Sequence, residues 1–330
     1  MKSQPVTEEL HSVFILLKNI CSDMMSFFLS IAAIILLAEI ALGSFANVFI
    51  VLVNCTDCIK GRKICLADRI LTALAIFRVG FLWVILSHLC LIMFNSALSL
   101  QVNFSVCVVW ALTSHFNTWL ATILSIFYLL KIGNFSNLIF LRLKRKINSV
   151  VLVVFLGSLV LFFPNLKIVP ICEEIQMNGH KDNLTAMTKL TYVNNLTAMM
   201  IFTLDNVLPF STSMICFLLL IYSLCRHLRT MKLYGKGSED LSGLAHIKAL
   251  RAVISFLLLF SMFVLSLFIS VYNFAKSPDD IVHVVCQVIG TLYPSSHSYI
   301  LIWGNRRIKE AIVMAMRQVR ERLWPVAQRP

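Results

Sequence analysis

The stretch FSVCVVWALTSHFNTWLATILSIFYLL, residues 104–130, contains no Asp, Glu, Lys or Arg, and a basic cluster at residues 142–146 follows it. A helix of roughly 20 apolar residues is long enough to cross a hydrocarbon layer about 30 Å thick. The stretch therefore predicts a membrane-spanning helix that ends near a charged surface.

One face of this helix differs from the rest. Trp110, Ser114, Asn117 and Ala121 recur at intervals of three and four residues, which places them on the same side of a helix. This combination of aromatic, polar and small residues suits a protein interior or a wet cavity better than lipid.

The composition of the whole chain agrees with a membrane protein. Of 330 residues, 58% are hydrophobic and only 14% are charged, whereas soluble domains average about 25% charged residues. The net charge of +13 does not indicate nucleic acid, because the basic residues alternate with hydrophobic stretches instead of forming one block. The predicted surroundings are a lipid bilayer.

Seven stretches are long and apolar enough to be spans, which predicts an all-α, polytopic seven-transmembrane helix bundle. The predicted spans are residues 25–53, 67–94, 104–132, 147–169, 198–225, 249–274 and 281–304. They form one domain, 25–304, between a short N-terminal tail, 1–24, and a C-terminal tail, 305–330. Met24 and Met25 precede the first span, so a later translation start there would remove the tail without touching a helix.

The charges of the connectors predict the orientation. Most Lys and Arg residues lie in the first, third and fifth connectors and in the C-terminal tail. Such residues are enriched on the cytoplasmic side of short loops. We therefore expect an extracellular N-terminus and a cytoplasmic C-terminus in the plasma membrane.

The loop between the fourth and fifth spans is then extracellular. Its acceptor triplet at Asn183 is the best candidate for N-glycosylation, although a chance triplet is an alternative. Cys172 of this loop and Cys107 form a possible disulfide pair, but Cys107 falls about a turn inside its helix. We predict no metal site, since cysteines 55, 58 and 65 lack a second ligand pair at the usual spacing.

Charged residues inside spans are costly and mark important positions. Arg78 is the clearest, and its expected neighbours are Asn47 in the first span and residues 295–298 in the seventh. Two interpretations stay open: a static interhelical clamp, or a clamp that rearranges between two states. Glu39 is taken as the only acidic residue deep in a helix, and one carboxylate without a partner is weak support for proton transport.

The chain resembles the bitter taste receptors, the type 2 taste receptor family of G-protein-coupled receptors. The resemblance covers nearly the whole membrane domain. Its segments, in order, are GSFANVFIVLVNC (43–55), KGRKICLADRILTALAIFR (60–78), HFNTWLATILSIFYLLKIGNFSNLIFLRLK (115–144), LLLIYSL (218–224), HIKALRAVISFLLLF (246–260) and HSYILIWGNRRIKEA (297–311). The Asp-Arg-Tyr and Asn-Pro-x-x-Tyr motifs of rhodopsin-like receptors are absent, and the chain differs from many family members at Ser114 and Phe260.

The resemblance implies a binding site for bitter small molecules in the outer half of the bundle. Four residues fall at positions that resemble ligand-contacting sites of the family: Trp110, Ser114, His283 and Gln287. Depth and helix face add Trp83, His115, Asn117 and Phe263. For each residue, ordinary core packing is the alternative, most of all for His115 and Asn117.

The resemblance also implies coupling to a heterotrimeric G protein of the gustducin (inhibitory) type. The residues expected to transmit activation are Asn47, Arg78, Tyr128, Leu220, Ser223, Leu224 and His297. The other classes fit less well. A transporter predicts an internal repeat or a polar path, and an intramembrane enzyme predicts converging acids or histidines. We see neither in the sequence, so we expect no enzyme activity, no catalytic residue and no cofactor.

Overall fold

The computed structural model describes the backbone of residues 4–93, 100–165, 186–233, 241–276 and 280–323. Every regular element in these ranges is a helix. The helices are α1 (Gln4–Ile59), α2 (Leu66–Met93), α3 (Leu100–Ile132), α4 (Leu138–Arg145), α5 (Ile147–Asn165), α6 (Ala186–Leu233), α7 (Leu241–Lys276), α8 (Asp280–Gly304) and α9 (Arg306–Leu323).

Five of these helices are long and apolar enough to cross a membrane, namely α1, α2, α3, α6 and α7. The pair α4 and α5 adds a sixth if it is counted as one span bent by 85°. The remaining long helix, α8, is not among these five, and several of its hydroxyl and imidazole groups are buried. Its Ser298 is fully buried and His297 is 3% exposed.

The helices form one bundle, with α2 packed between α1 and α3, and α8 packed against both α1 and α7. Helix α3 also contacts α5 and α6, and α6 contacts α7. The largest cluster of buried side chains lies where α2, α3, α6, α7 and α8 meet and includes Leu220, Phe260, Phe263 and Tyr293. These observations confirm the predicted all-α bundle.

Two short helices lie at the predicted cytoplasmic end. Helix α4 begins after Asn137, whose side chain accepts a hydrogen bond from the Ile139 N–H at 2.8 Å, and it buries none of its residues. Helix α9 follows α8 almost directly and is held to the bundle by Arg307. The Arg307 guanidinium lies 2.9 Å from Asp57 of α1 and 3.1 Å from Asp68 of α2.

Some predictions fall outside the described residues. Asn183 and Cys172 belong to this group, so glycosylation at the first and a disulfide at the second stay predictions. The bounds of the spans and tails also stay predictions, because a helix can extend beyond the bilayer. Helix α1, for example, begins at Gln4, within the predicted N-terminal tail.

Candidate functional site

Arg78 is the centre of a buried polar cluster that joins α1, α2 and α8. Its side chain is 1% exposed, Nη1 donates to Ser298 Oγ at 3.0 Å, and Nη2 lies 2.7 Å from His297 Nδ1. The guanidinium also lies over the Tyr293 ring, 4.7 Å from its centroid. The charge is therefore held by two hydrogen-bond partners and an aromatic face.

Asn47 extends the same cluster to α1. Ser298 Oγ donates to Asn47 Oδ1 at 2.8 Å, and Asn47 Nδ2 donates to the Pro294 carbonyl at 3.0 Å. Pro294 lies inside α8. Because proline has no N–H, one hydrogen bond of the helix backbone is missing there. Of the expected neighbours of Arg78, His297 and Ser298 are thus direct hydrogen-bond partners, and Asn47 is connected to it through Ser298.

A row of aromatic rings runs from this cluster toward the outer half of the bundle. The Tyr293 ring stacks on His297 at 5.6 Å between centroids and lies 5.2 Å from Phe263. Toward the predicted cytoplasmic side, Phe256 lies 4.4 Å from His297 and 4.5 Å from Phe217. The row therefore links rings of α6, α7 and α8 in the interior of the bundle.

The outer half contains most of the candidate ligand contacts. The Trp110 ring stacks on Phe202 of α6 at 6.0 Å. Ser114 is 3% exposed and Asn117 is fully buried, and neither amide atom of Asn117 has a hydrogen-bond partner among the described residues. Such an amide costs about 1–3 kcal/mol unless water or a ligand satisfies it.

Two further ligand candidates, His283 and Gln287, lie one turn apart on α8. Gln287 Nε2 is 2.8 Å from His283 Nε2 and 3.2 Å from Nδ1 of His88 on α2. His88 was not among the sequence candidates, because its partners lie on α8 and only the fold brings them next to it. The structure thus places a small polar group at the outer ends of α2 and α8.

A protein family and several known proteins are similar to this chain over most of its length. The family model described as taste receptor protein (TAS2R) matches residues 24–320. The chain is 68% identical to taste receptor type 2 member 136 of Rattus norvegicus over the full length of both proteins. It is 63% identical to the Mus musculus protein of the same name, over 93% of this chain and all of that protein. It is also 47% identical to the putative taste receptor type 2 member 33 of Homo sapiens, over 93% of this chain and 99% of that protein.

The chain belongs to the type 2 taste receptor family. The resemblance inferred from the sequence is confirmed, and with it the seven-transmembrane fold class. Membership makes this taste receptor a multi-pass membrane protein that acts as a receptor.

The structure corrects the placement of Trp83. Its side chain is 57% exposed on the stripe of α2 that also carries Ile76 and Cys90, on the side away from the helix bundle. Trp83 was placed in the cavity by its depth, but the rotation of α2 is set by Leu82 and Ile85, which are buried. We therefore remove Trp83 from the candidate cavity of the taste receptor.

His115 is also placed differently from the expectation. It is 2% exposed, and its Nδ1 lies 3.0 Å from Asp205 Oδ2, while Trp119 Nε1 donates to Asp205 Oδ1 at 3.1 Å. Its ring also lies 5.0 Å from Phe162 of α5. His115 thus belongs to a buried polar pair where α3, α5 and α6 meet, which favours the core-packing alternative.

Asp205 shows that Glu39 is not the only acid deep in a helix, so that interpretation was wrong. Asp205 lies inside the predicted span 198–225, so a carboxylate in an apolar stretch was the signal that the sequence contained. Glu39 itself accepts a hydrogen bond from Thr291 Oγ1 of α8. Both carboxylates therefore join two helices of the taste receptor.

The remaining coupling candidates lie toward the predicted cytoplasmic end. Leu220 and Leu224 of α6 are buried in the same cluster as Phe256. Ser223 accepts a hydrogen bond from the Asn134 N–H at 3.0 Å, which ties α6 to the connector between α3 and α4. Tyr128 of α3 packs against two hydrophobic clusters. The structure thus brings the leucines next to the aromatic row and Ser223 next to the connector, while Tyr128 packs between the two hydrophobic clusters.

Proposed function

We propose that this receptor detects bitter small molecules in the outer half of its helix bundle and activates a heterotrimeric G protein of the gustducin (inhibitory) type at its cytoplasmic end. The observation that carries the proposal is the unbroken row of ring contacts. It starts at Phe263, a candidate ligand contact, and continues through Tyr293 and His297 to Arg78.

The chemistry of the outer half supports a small, mainly hydrophobic ligand. Trp110 and Phe263 offer aromatic surface, while Ser114, Asn117, His283 and Gln287 offer hydrogen bonds. Small-molecule sites are usually apolar with a few placed polar groups. The unpartnered amide of Asn117 in particular is a group that a ligand hydroxyl or carbonyl would satisfy.

A ligand activates the receptor only if it binds one arrangement of the bundle more tightly than another. Couplings of about 1–3 kcal/mol between sites are typical. An aromatic pair contributes about 0.5–1.5 kcal/mol, so a change in two or three ring contacts is enough. We infer that such a change at Phe263 alters how Phe256 and Leu220 pack at the inner ends of α6 and α7.

The first test compares two tryptophans. Trp110→Ala should lower agonist potency, because it removes a ring stacked in the outer half, whereas Trp83→Ala should leave potency unchanged. The measurement is an agonist dose response in cells supplied with a suitable G protein, corrected for surface expression. Equal effects of both substitutions across several agonists would remove Trp110 from the ligand site.

The second test concerns receptor activity itself. Agonist should accelerate nucleotide exchange on a purified gustducin-type G protein in the presence of the purified receptor. A transporter or an intramembrane enzyme would not do so, and an agonist-independent exchange rate would contradict the proposal.

A third test checks the predicted orientation. Antibodies applied to intact cells should reach a tag at the N-terminus but not a tag at the C-terminus.

A further inference from the structure

We propose that His88, His283 and Gln287 form a binding site for a divalent transition-metal cation, with Zn²⁺ as the best-fitting ion, that joins the outer ends of α2 and α8. His88 Nδ1 and His283 Nε2 are 3.4 Å apart, and the Gln287 amide nitrogen lies 2.8 Å from the second and 3.2 Å from the first.

These distances match the ligand arrangement of zinc. Zn²⁺ binds imidazole nitrogens at about 2.0–2.1 Å in tetrahedral geometry, which places two ligand nitrogens about 3.3–3.4 Å apart. The observed separation of 3.4 Å between the two ring nitrogens already has this value. An ion placed between them would therefore need little movement of either helix.

The lone pairs also point to a common place. The Gln287 amide nitrogen carries two hydrogens and is within hydrogen-bond distance of both ring nitrogens, so both can act as acceptors toward one position. A cation between these three atoms would accept the ring-nitrogen lone pairs that now face the amide donor. The two rings are tilted by 53° and are not stacked, which leaves their nitrogen edges facing each other.

Gln287 supplies the third ligand. Its Oε1 is buried and has no hydrogen-bond partner among the described residues. A half-turn of the amide exchanges Nε2 for Oε1 and brings this oxygen next to both ring nitrogens. Two imidazoles and one oxygen are ligands that zinc accepts, with water completing the coordination.

The side chains of the site are not fully enclosed by the described residues. His88, His283 and Gln287 are all partly exposed, and they lie near the predicted extracellular ends of α2 and α8. The prediction that the chain has no metal site was based only on cysteines that are close together in the sequence. The two histidines are 195 residues apart, so only the fold brings them together.

A bound ion would hold α2 to α8 and occupy two candidate agonist contacts, His283 and Gln287. This consequence, unlike the metal binding, rests on the proposed function. The experiment below measures metal binding directly, so its outcome does not depend on whether the receptor responds to bitter compounds.

The experiment is a zinc titration of the full-length purified receptor in lipid nanodiscs. His88→Gln and His283→Gln should each raise the zinc Kd at least tenfold, since loss of even a group that only orients a metal ligand commonly costs about 10–100-fold in affinity. His227→Gln is the matched control, because His227 is an exposed histidine on α6, and this variant should bind zinc as the unsubstituted receptor does. Gln287→Glu should tighten binding, since a carboxylate is a stronger zinc ligand than an amide.

Cobalt distinguishes this site from the exposed cysteines 55, 58 and 65. Co²⁺ bound to His88 and His283 should give d–d absorption without a thiolate charge-transfer band. Zinc affinity unchanged in both histidine variants, or a cobalt spectrum whose d–d bands are the same in them as in the unsubstituted receptor, would overturn the proposal. Retained thermal stability of His88→Gln and His283→Gln checks that a loss of zinc does not come from unfolding.

Discussion

Replacing Asp205 should cost the receptor a large part of its stability. Asp205 is 9% exposed and is the hydrogen-bond acceptor for both His115 Nδ1 and Trp119 Nε1. Asp205→Ala removes the acceptor of two buried donors at once. His115 then has no partner at either ring nitrogen among the described residues, because its Nε2 already lacks one.

The magnitude follows from these contacts. Hydrogen bonds to a charged group contribute about 1.5–3 kcal/mol each, and part of this gain is offset by the cost of burying the carboxylate. Breaking a buried pair by removing one partner typically costs about 3–5 kcal/mol. We expect a destabilisation in this range for Asp205→Ala. Asp205→Asn should cost less, since its amide oxygen can still accept from one donor.

A double-mutant cycle tests the pairing. Because His115→Leu with Asp205→Leu removes both polar partners, the double variant should be more stable than the sum of the two single losses predicts. The assay is thermal unfolding of the purified receptor, with surface expression as the cellular readout. Strictly additive losses, or an Asp205→Ala variant as stable as the original, would refute the reasoning.

Two further predictions concern contacts between helices. Gly43→Ala should destabilise the bundle by about 1–3 kcal/mol, because an added Cβ would lie 2.8 Å from Ser295 Cβ and 3.0 Å from Leu82 Cδ1. Gly157→Ala is the control, since nothing lies within 4 Å of its added Cβ, and a lower unfolding temperature for both would contradict the contact argument. Arg307→Gln should lower the free energy of unfolding by about 1–3 kcal/mol, because it leaves the buried carboxylates of Asp57 and Asp68 without this partner. Arg306→Gln is the control. It changes an exposed pair with Glu310 and should change the unfolding temperature little. Equal unfolding temperatures for these two arginine variants would show that α9 is not held by Arg307.

The sequence was sufficient for Arg78 and its neighbours. A charge in an apolar helix must find polar partners, and few polar groups occur at the same depth, so His297, Ser298 and Asn47 could be named in advance. The segments that carry the family resemblance also run through these residues. This part of the candidate site was predictable because an unpaired charge in an apolar helix is costly and few polar groups are available to pair with it.

The sequence was not sufficient for residues whose role depends on helix rotation. Trp83 and His115 have suitable depth for a ligand site, yet Trp83 is exposed away from the bundle and His115 is paired with Asp205. Successive residues on a helix differ by about 100° in direction. A single helix gives no reference for that angle until its neighbours are packed against it.

Length, hydrophobicity and charge are properties of each segment, so the sequence by itself determined that this chain is a membrane bundle and predicted its orientation. Only the tertiary structure decided which polar groups meet, because those pairs join helices far apart in the chain. His115 and Asp205 are 90 residues apart, and His88 and His283 are 195 residues apart. Interhelical packing fixes the rotation and depth of every helix together, and that is what brings these side chains within hydrogen-bond distance.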